Sequence, residues 1–249
     1  MEDQLRILVA AGLTGLLILL RFDAGRFGTA EYDDESAPGG WRNTLRRIGW
    51  YGVGLVLAVG IYELHPTPAS TLHLSTGTDR LAMILLGLFV GALGTAGAAA
   101  FAWYRYRRLR LPEYRYYAGA ALNSLGTAFI DEVAFRGALL GLTLALGVPA
   151  ELAIALQAVV YALSTRLGAA GRSRAMLGIS LIIGIVTGLL TVATGGIGTG
   201  LLAHAITRFA IFVTTGHAGQ VLPPGTEMEE LAADRLPPEG WRVVSDEDL

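Results

Sequence analysis

Phe129-Ile130-Asp131-Glu132-Val133-Ala134-Phe135-Arg136-Gly137 puts two carboxylates and a guanidinium into a stretch otherwise apolar enough to cross a bilayer. An ionised side chain at bilayer depth costs about 2.5–3.5 kcal/mol on insertion scales, so it ordinarily faces a protein-lined cavity, has a partner and marks a functional site. The rest of the chain supplies the apolar setting. Of 249 residues 53% are hydrophobic and 16% charged, and the mean hydropathy is +0.50, more than the core of a soluble domain requires. The fold class this predicts is all-α, a polytopic transmembrane helical bundle.

A span needs about 20 mostly apolar residues. Such stretches recur at 5–20, 48–64, 81–104, 118–146, 149–165, 175–193 and 198–215. The expectation is about seven spans, or eight if the long fourth stretch, which holds the charged run, breaks into two helices. The first stretch follows the acidic start Met1-Glu2-Asp3 and has no small-residue cleavage site, so it reads as a retained span. Residues 1–216 form the expected membrane domain. Residues 217–249 form an acidic tail in which Thr226-Glu227-Met228-Glu229 has the pattern of a helix-capping box.

The basic residues sort the connections. All 19 are arginines, a bias that fits a high-GC prokaryotic genome. Arg21, Arg26, Arg42, Arg46 and Arg47 follow the first span, Arg105, Arg107, Arg108, Arg110 and Arg115 the third, and Arg166, Arg172 and Arg174 the fifth. The positive-inside rule then puts these connections and the tail in the cytoplasm, with the N-terminus outside the cell membrane. Absence of cysteine excludes disulfides, thiolate catalysis and cysteine metal sites. A net charge of -2 marks out no nucleic-acid partner. The expected partners are the lipid bilayer and a membrane-associated peptide or protein.

Within the charged run Glu132 and Arg136 stand four apart with the acid first, the favourable order for a pair on one helix face. Asp131 lies about 100° around the helix from Glu132. The spacing therefore predicts one carboxylate held by Arg136 and the other free to take a proton from water. His204 is the only histidine between Arg136 and the tail. If it converges with Asp131 and Glu132, the three make either a base with an oxyanion donor or a set of ligands for a divalent metal. His65, His73 and His217 fall outside the span interiors and read as surface residues.

Asp131-Glu132-x-x-x-Arg136, followed by Gly137, resembles the first motif of the CPBP family, Glu-Glu-x-x-x-Arg. That family comprises CAAX prenyl endopeptidases and bacteriocin-processing or immunity proteins, multi-span intramembrane proteases with the active site among their helices. Its two later motifs are aromatic-x-x-x-His and His-x-x-x-Asn. Here Tyr161-Ala162-Leu163-Ser164-Thr165 and His204-Ala205-Ile206-Thr207-Arg208 stand in the corresponding order, and the resemblance covers about 118–215. It implies a peptide hydrolase in which Asp131 and Glu132 activate water and Arg136 orients them. His204 would stabilise the oxyanion, with Tyr161, Thr165 and Arg208 in support. Three positions depart from the pattern. Asp131 replaces a glutamate, Thr165 a histidine and Arg208 an asparagine. These departures support a second reading, a membrane-embedded binding or immunity partner without catalysis. A small proton-linked transporter, relaying through the same four charged or titratable groups, is a third.

Overall fold

The computed structural model describes residues 2–27, 40–106, 109, 114, 117–168 and 174–215. These residues are helical, with no strand among them: α1 (Glu2–Phe22), a 3-10 turn (Ala24–Phe27), α2 (Gly40–Leu64), the short α3 (Pro68–Thr71), α4 (Arg80–Tyr106), α5 (Tyr117–Asp131), a π-helical segment (Glu132–Leu139), α6 (Leu140–Ala145), α7 (Ala150–Gly168), α8 (Arg174–Thr194) and α9 (Gly198–Thr215). The tail with its capping-box pattern, His217 and several loop arginines lie outside the described residues.

Four helices are long and apolar enough to span: Glu2–Phe22, Leu45–Leu64, Arg80–Tyr104 and Leu177–Thr194. Ala150–Thr165 and Gly198–Thr214 are apolar but shorter. The expected count of seven is thus met only in part. The long fourth stretch is helical from Tyr117 to Ala145 without interruption, so the break that would have produced an eighth span does not occur. Its polar content, Asn123, Ser124, Thr127, Asp131, Glu132 and Arg136, is buried inside the bundle. The outer helices instead turn large apolar side chains outward, among them Leu8, Leu19, Val56, Leu85, Phe89, Leu152 and Ile182. Apolar outside and polar within is the arrangement that hydrocarbon solvent imposes.

Small residues set the closest helix approach. Along α4, Gly87 and Gly91 face Leu202 and Ile206 of α9, so that a Cβ at either glycine would come within 3.0 and 2.8 Å of those side chains. Gly94 meets Thr207 on the same stripe. Without a hydrophobic force between helices in lipid, this intimate contact is what holds α4 to α9. On the opposite flank α1 packs on α2, fixed by the Trp50 indole N–H donating to the Leu20 carbonyl at 3.0 Å. A strap between α3 and α4 closes one end of the bundle. Leu72 is fully buried there, and the strap is stitched to the α8–α9 turn by Thr78 N–H to the Thr194 carbonyl at 3.0 Å and Ile197 N–H to the His73 carbonyl at 3.1 Å.

Candidate active site

The charged run lies where α5 passes into the π-helical segment. Asp131 closes the α-helix and Glu132 opens the wider turn. Such turns shift the facing of the residues that follow and recur at functional sites. The two adjacent carboxylates consequently serve different neighbours, although both are fully buried.

Asp131 faces α1 and α7. Arg21 Nε donates to Asp131 Oδ1 at 2.6 Å, and Arg21 Nη2 reaches Oδ2 and the Thr165 hydroxyl, each at 3.5 Å. Arg208, one turn beyond His204 on α9, adds a second positive charge that acts on Asp131. The expected pair of Glu132 with Arg136 is present at 3.6 Å, but the expectation that the other carboxylate would be free is corrected: Arg21 holds Asp131. The cause is a polar stripe at four-residue spacing, Asn123, Thr127 and Asp131, that faces the α1–α2 hairpin. Tyr51 donates to Asn123 Oδ1 at 2.7 Å, Arg47 Nη2 donates to the Thr127 hydroxyl at 3.1 Å, and Arg21 completes the row at Asp131.

Glu132 faces α8 and α9. Its Oε1 lies 2.9 Å from His204 Nδ1, and His204 Nε2 lies 3.0 Å from the Tyr161 hydroxyl. Arg136 Nε is 3.6 Å from the same Oε1 and donates to the Thr187 hydroxyl at 2.6 Å. The Arg136 guanidinium lies over the Tyr161 ring, 4.0 Å from its centroid, a cation–π stack. The Thr187 hydroxyl spends its proton on the Ile183 carbonyl. Glu132 Oε2 and both terminal nitrogens of Arg136 are buried without a hydrogen-bond partner among the described residues. A buried ion-pair network built only for stability leaves few such groups, because each costs about 1–3 kcal/mol. Gly200 makes room for that oxygen, since a Cβ there would stand 2.7 Å from Oε2.

An apolar groove of about 450 Å³ runs in from the lipid-facing side between α4 and α8, with α9 as its floor. Leu93, Phe101, Ile182 and Val186 line its length, and its inner end meets Thr187 and His204. Thr187 and His204, which contact Arg136 and Glu132, thus stand between the groove and the charged cluster.

Of the residues singled out by sequence, Glu132, Arg136, Tyr161 and His204 come together, Asp131 and Thr165 meet Arg21, and Arg208 acts electrostatically on Asp131, Tyr161 and His204. Arg21 and Thr187 were missed. Arg21 reads as a loop charge at the end of the first span; the signal that could have found it is the Asn123–Thr127–Asp131 stripe, which requires polar partners on a neighbouring helix. A metal centre on Asp131, Glu132 and His204 does not fit. Both oxygens of Asp131 go to Arg21, and among the described residues no three His, Asp or Glu side chains are placed to hold an ion.

Apolar helices around a buried cluster of carboxylates, imidazole, phenol and guanidinium define a multi-helix membrane protein with a polar centre. Residues 114–210 match the family model described as type II CAAX prenyl endopeptidase, Rce1-like, so the resemblance read from three short motifs extends over the whole segment that carries Asp131, Glu132, Arg136, Tyr161 and His204. Arg21 lies outside that segment. Neither a curated protein nor a solved structure matches the chain.

Proposed function

We propose that the protein is an intramembrane endopeptidase that hydrolyses membrane-associated peptides or protein ends with water activated by Glu132. The observation that carries this reading is the buried, unpartnered Oε2 of Glu132 together with the unpartnered terminal nitrogens of Arg136, behind the Thr187 and His204 side chains that line an apolar groove. A water on Oε2 can give its proton to the carboxylate as it attacks a peptide carbonyl. The terminal N–H groups of Arg136 are the donors available for the developing oxyanion. Glu132 then passes the proton to the leaving amine, so one water is consumed and the carboxylate is regenerated. His204 holds Oε1 through Nδ1 and is itself set by Tyr161. The apolar lining of the groove suits a substrate that arrives from the bilayer. The arginine-rich connections orient the chain with its N-terminus outside and its tail in the cytoplasm.

One observation favours the rival reading of a non-catalytic partner: the ion pair of Arg21 with Asp131, at the position whose counterpart in the resembled family activates water. The deciding experiment compares new protein termini in membranes of cells expressing, at matched levels, the wild type or Glu132→Gln. Termini formed only with the wild type support the hydrolase and identify its substrates. Identical termini, with both proteins folded, overturn it in favour of the partner.

A further inference from the structure

The two carboxylates differ in who holds them, and the holder of Asp131 comes from outside the matched segment. Arg21 sits in the last turn of α1, is 6% exposed, and meets both oxygens of Asp131 as well as the Thr165 hydroxyl. Its placement is fixed independently of Asp131. Trp50 ties Leu20, the preceding residue, to α2, and Arg47 and Tyr51 dock α2 on Asn123 and Thr127. The α1–α2 hairpin thus delivers a guanidinium to one carboxylate of the site and to no other.

We propose that Arg21 is a positioning residue of the site: by holding both oxygens of Asp131 it withdraws that carboxylate from proton transfer and leaves the task to Glu132. This rests on the hydrolase reading, but what Arg21 does to Asp131 can be measured without turnover. A buried carboxylate that loses its hydrogen-bonded ion-pair partner is driven toward taking up a proton rather than staying ionised. Short side chains at 131 and 165 leave the space that the long arginine fills. Arg208 also acts on Asp131 electrostatically, alongside the 2.6 Å ion pair with Arg21.

The test uses dicyclohexylcarbodiimide on the full chain in detergent micelles. This apolar reagent adds to a protonated carboxyl group: the acid proton passes to a carbodiimide nitrogen, the carboxyl oxygen bonds to the central carbon, and the adduct rearranges to a stable N-acylurea. Fragmentation of the labelled peptide separates position 131 from 132. In the wild type little label is expected on Asp131. In Arg21→Gln labelling of Asp131 is expected to rise about tenfold or more, because the buried carboxylate has lost its ion-pair partner, and Arg21→Lys should return it toward the wild-type level. Equal labelling of Asp131 in wild type and Arg21→Gln overturns the proposal. Should Arg21→Gln not remain monodisperse, thermal unfolding of Arg21→Gln, Asp131→Asn and the double variant decides. Recovery in the double variant above both singles is expected, and additive losses overturn the proposal. Failure of the hydrolase reading would instead appear as unchanged termini in Glu132→Gln, with the labelling pattern intact.

Discussion

Asp131 turns to α1 and α7, where one guanidinium takes both its oxygens; Glu132, one residue later, turns to α8 and α9, where an imidazole takes one oxygen and the other is left without a donor. Identical chemistry and equal burial thus produce two opposite situations. What separates them is the change from α-helix to π-helix between them and the residues that each neighbouring helix offers. A paired, saturated carboxylate stabilises a buried structure only while its partner is present, whereas an unsaturated one costs stability and retains the capacity to react. The comparison predicts that substitutions on the Asp131 side will be read in stability and that those on the Glu132 side will, in addition, lower the activity of the folded fraction.

The sharpest break of that prediction is Glu132→Gln. The amide keeps the size and can still bond His204 but cannot accept a proton from water, so turnover should fall by about 10²–10⁴-fold, the usual share of a general base. Arg136 is then left buried without its counter-charge, so the unfolding temperature should also fall, and the discriminating quantity is the activity of the folded fraction. If instead the protein unfolds and the surviving fraction cleaves normally, the two carboxylates have been assigned the wrong way round.

Next in size is Asp131→Asn, which leaves Arg21 buried without its counter-charge. Breaking a buried pair from one side costs about 3–5 kcal/mol, so a marked loss of thermal stability is expected, measured by unfolding of the purified protein. Whatever remains folded should retain Glu132-dependent cleavage. Complete loss of cleavage at full stability would return the proton-accepting role to Asp131.

How far the chain announces this arrangement differs between the fold and the site. Hydropathy locates the apolar helices because lipid-facing side chains need only be apolar, and that property is local. Of its seven stretches four are long apolar helices, two more are shorter apolar helices on α7 and α9, and the fourth stretch is a polar-striped inner helix. The Glu132–Arg136 pair is legible from its spacing, and His204 from being alone among the later spans. Arg21 is not, because a charge at a helix end has a solvent explanation that fits equally well. Its partner stands far along the sequence, and only the packing of α1 beside the π-helical segment joins them.

Tyr161→Phe probes the outer end of the Glu132 side. Removing the hydroxyl strips His204 Nε2 of its partner while preserving the ring that faces Arg136 and Phe135. The lost hydrogen bond corresponds to about 1 kcal/mol, so cleavage should fall several-fold with stability slightly reduced. An effect as large as that of Glu132→Gln would make the phenol a direct participant instead of a support for the imidazole.

The finest test is a single methyl group. Gly200→Ala would place its Cβ 2.7 Å from Glu132 Oε2 and 3.2 Å from the Thr187 Cβ, so the carboxylate must move by a few tenths of an ångström or more. Nothing on the Asp131 side is touched. Misplacement of a reacting group by about 1 Å can cost 100-fold, so a shift of part of that distance should lower turnover by about three- to tenfold, beyond a packing cost of about 1–3 kcal/mol. Gly12→Ala is the control, because a Cβ at Gly12 on α1 meets nothing within 4 Å, and it should leave both activity and stability near wild type. The discriminating quantity is the activity of the folded fraction. If Gly200→Ala loses stability but its folded fraction cleaves at the wild-type rate, the room beside Oε2 serves packing alone and the reactive oxygen must be sought elsewhere.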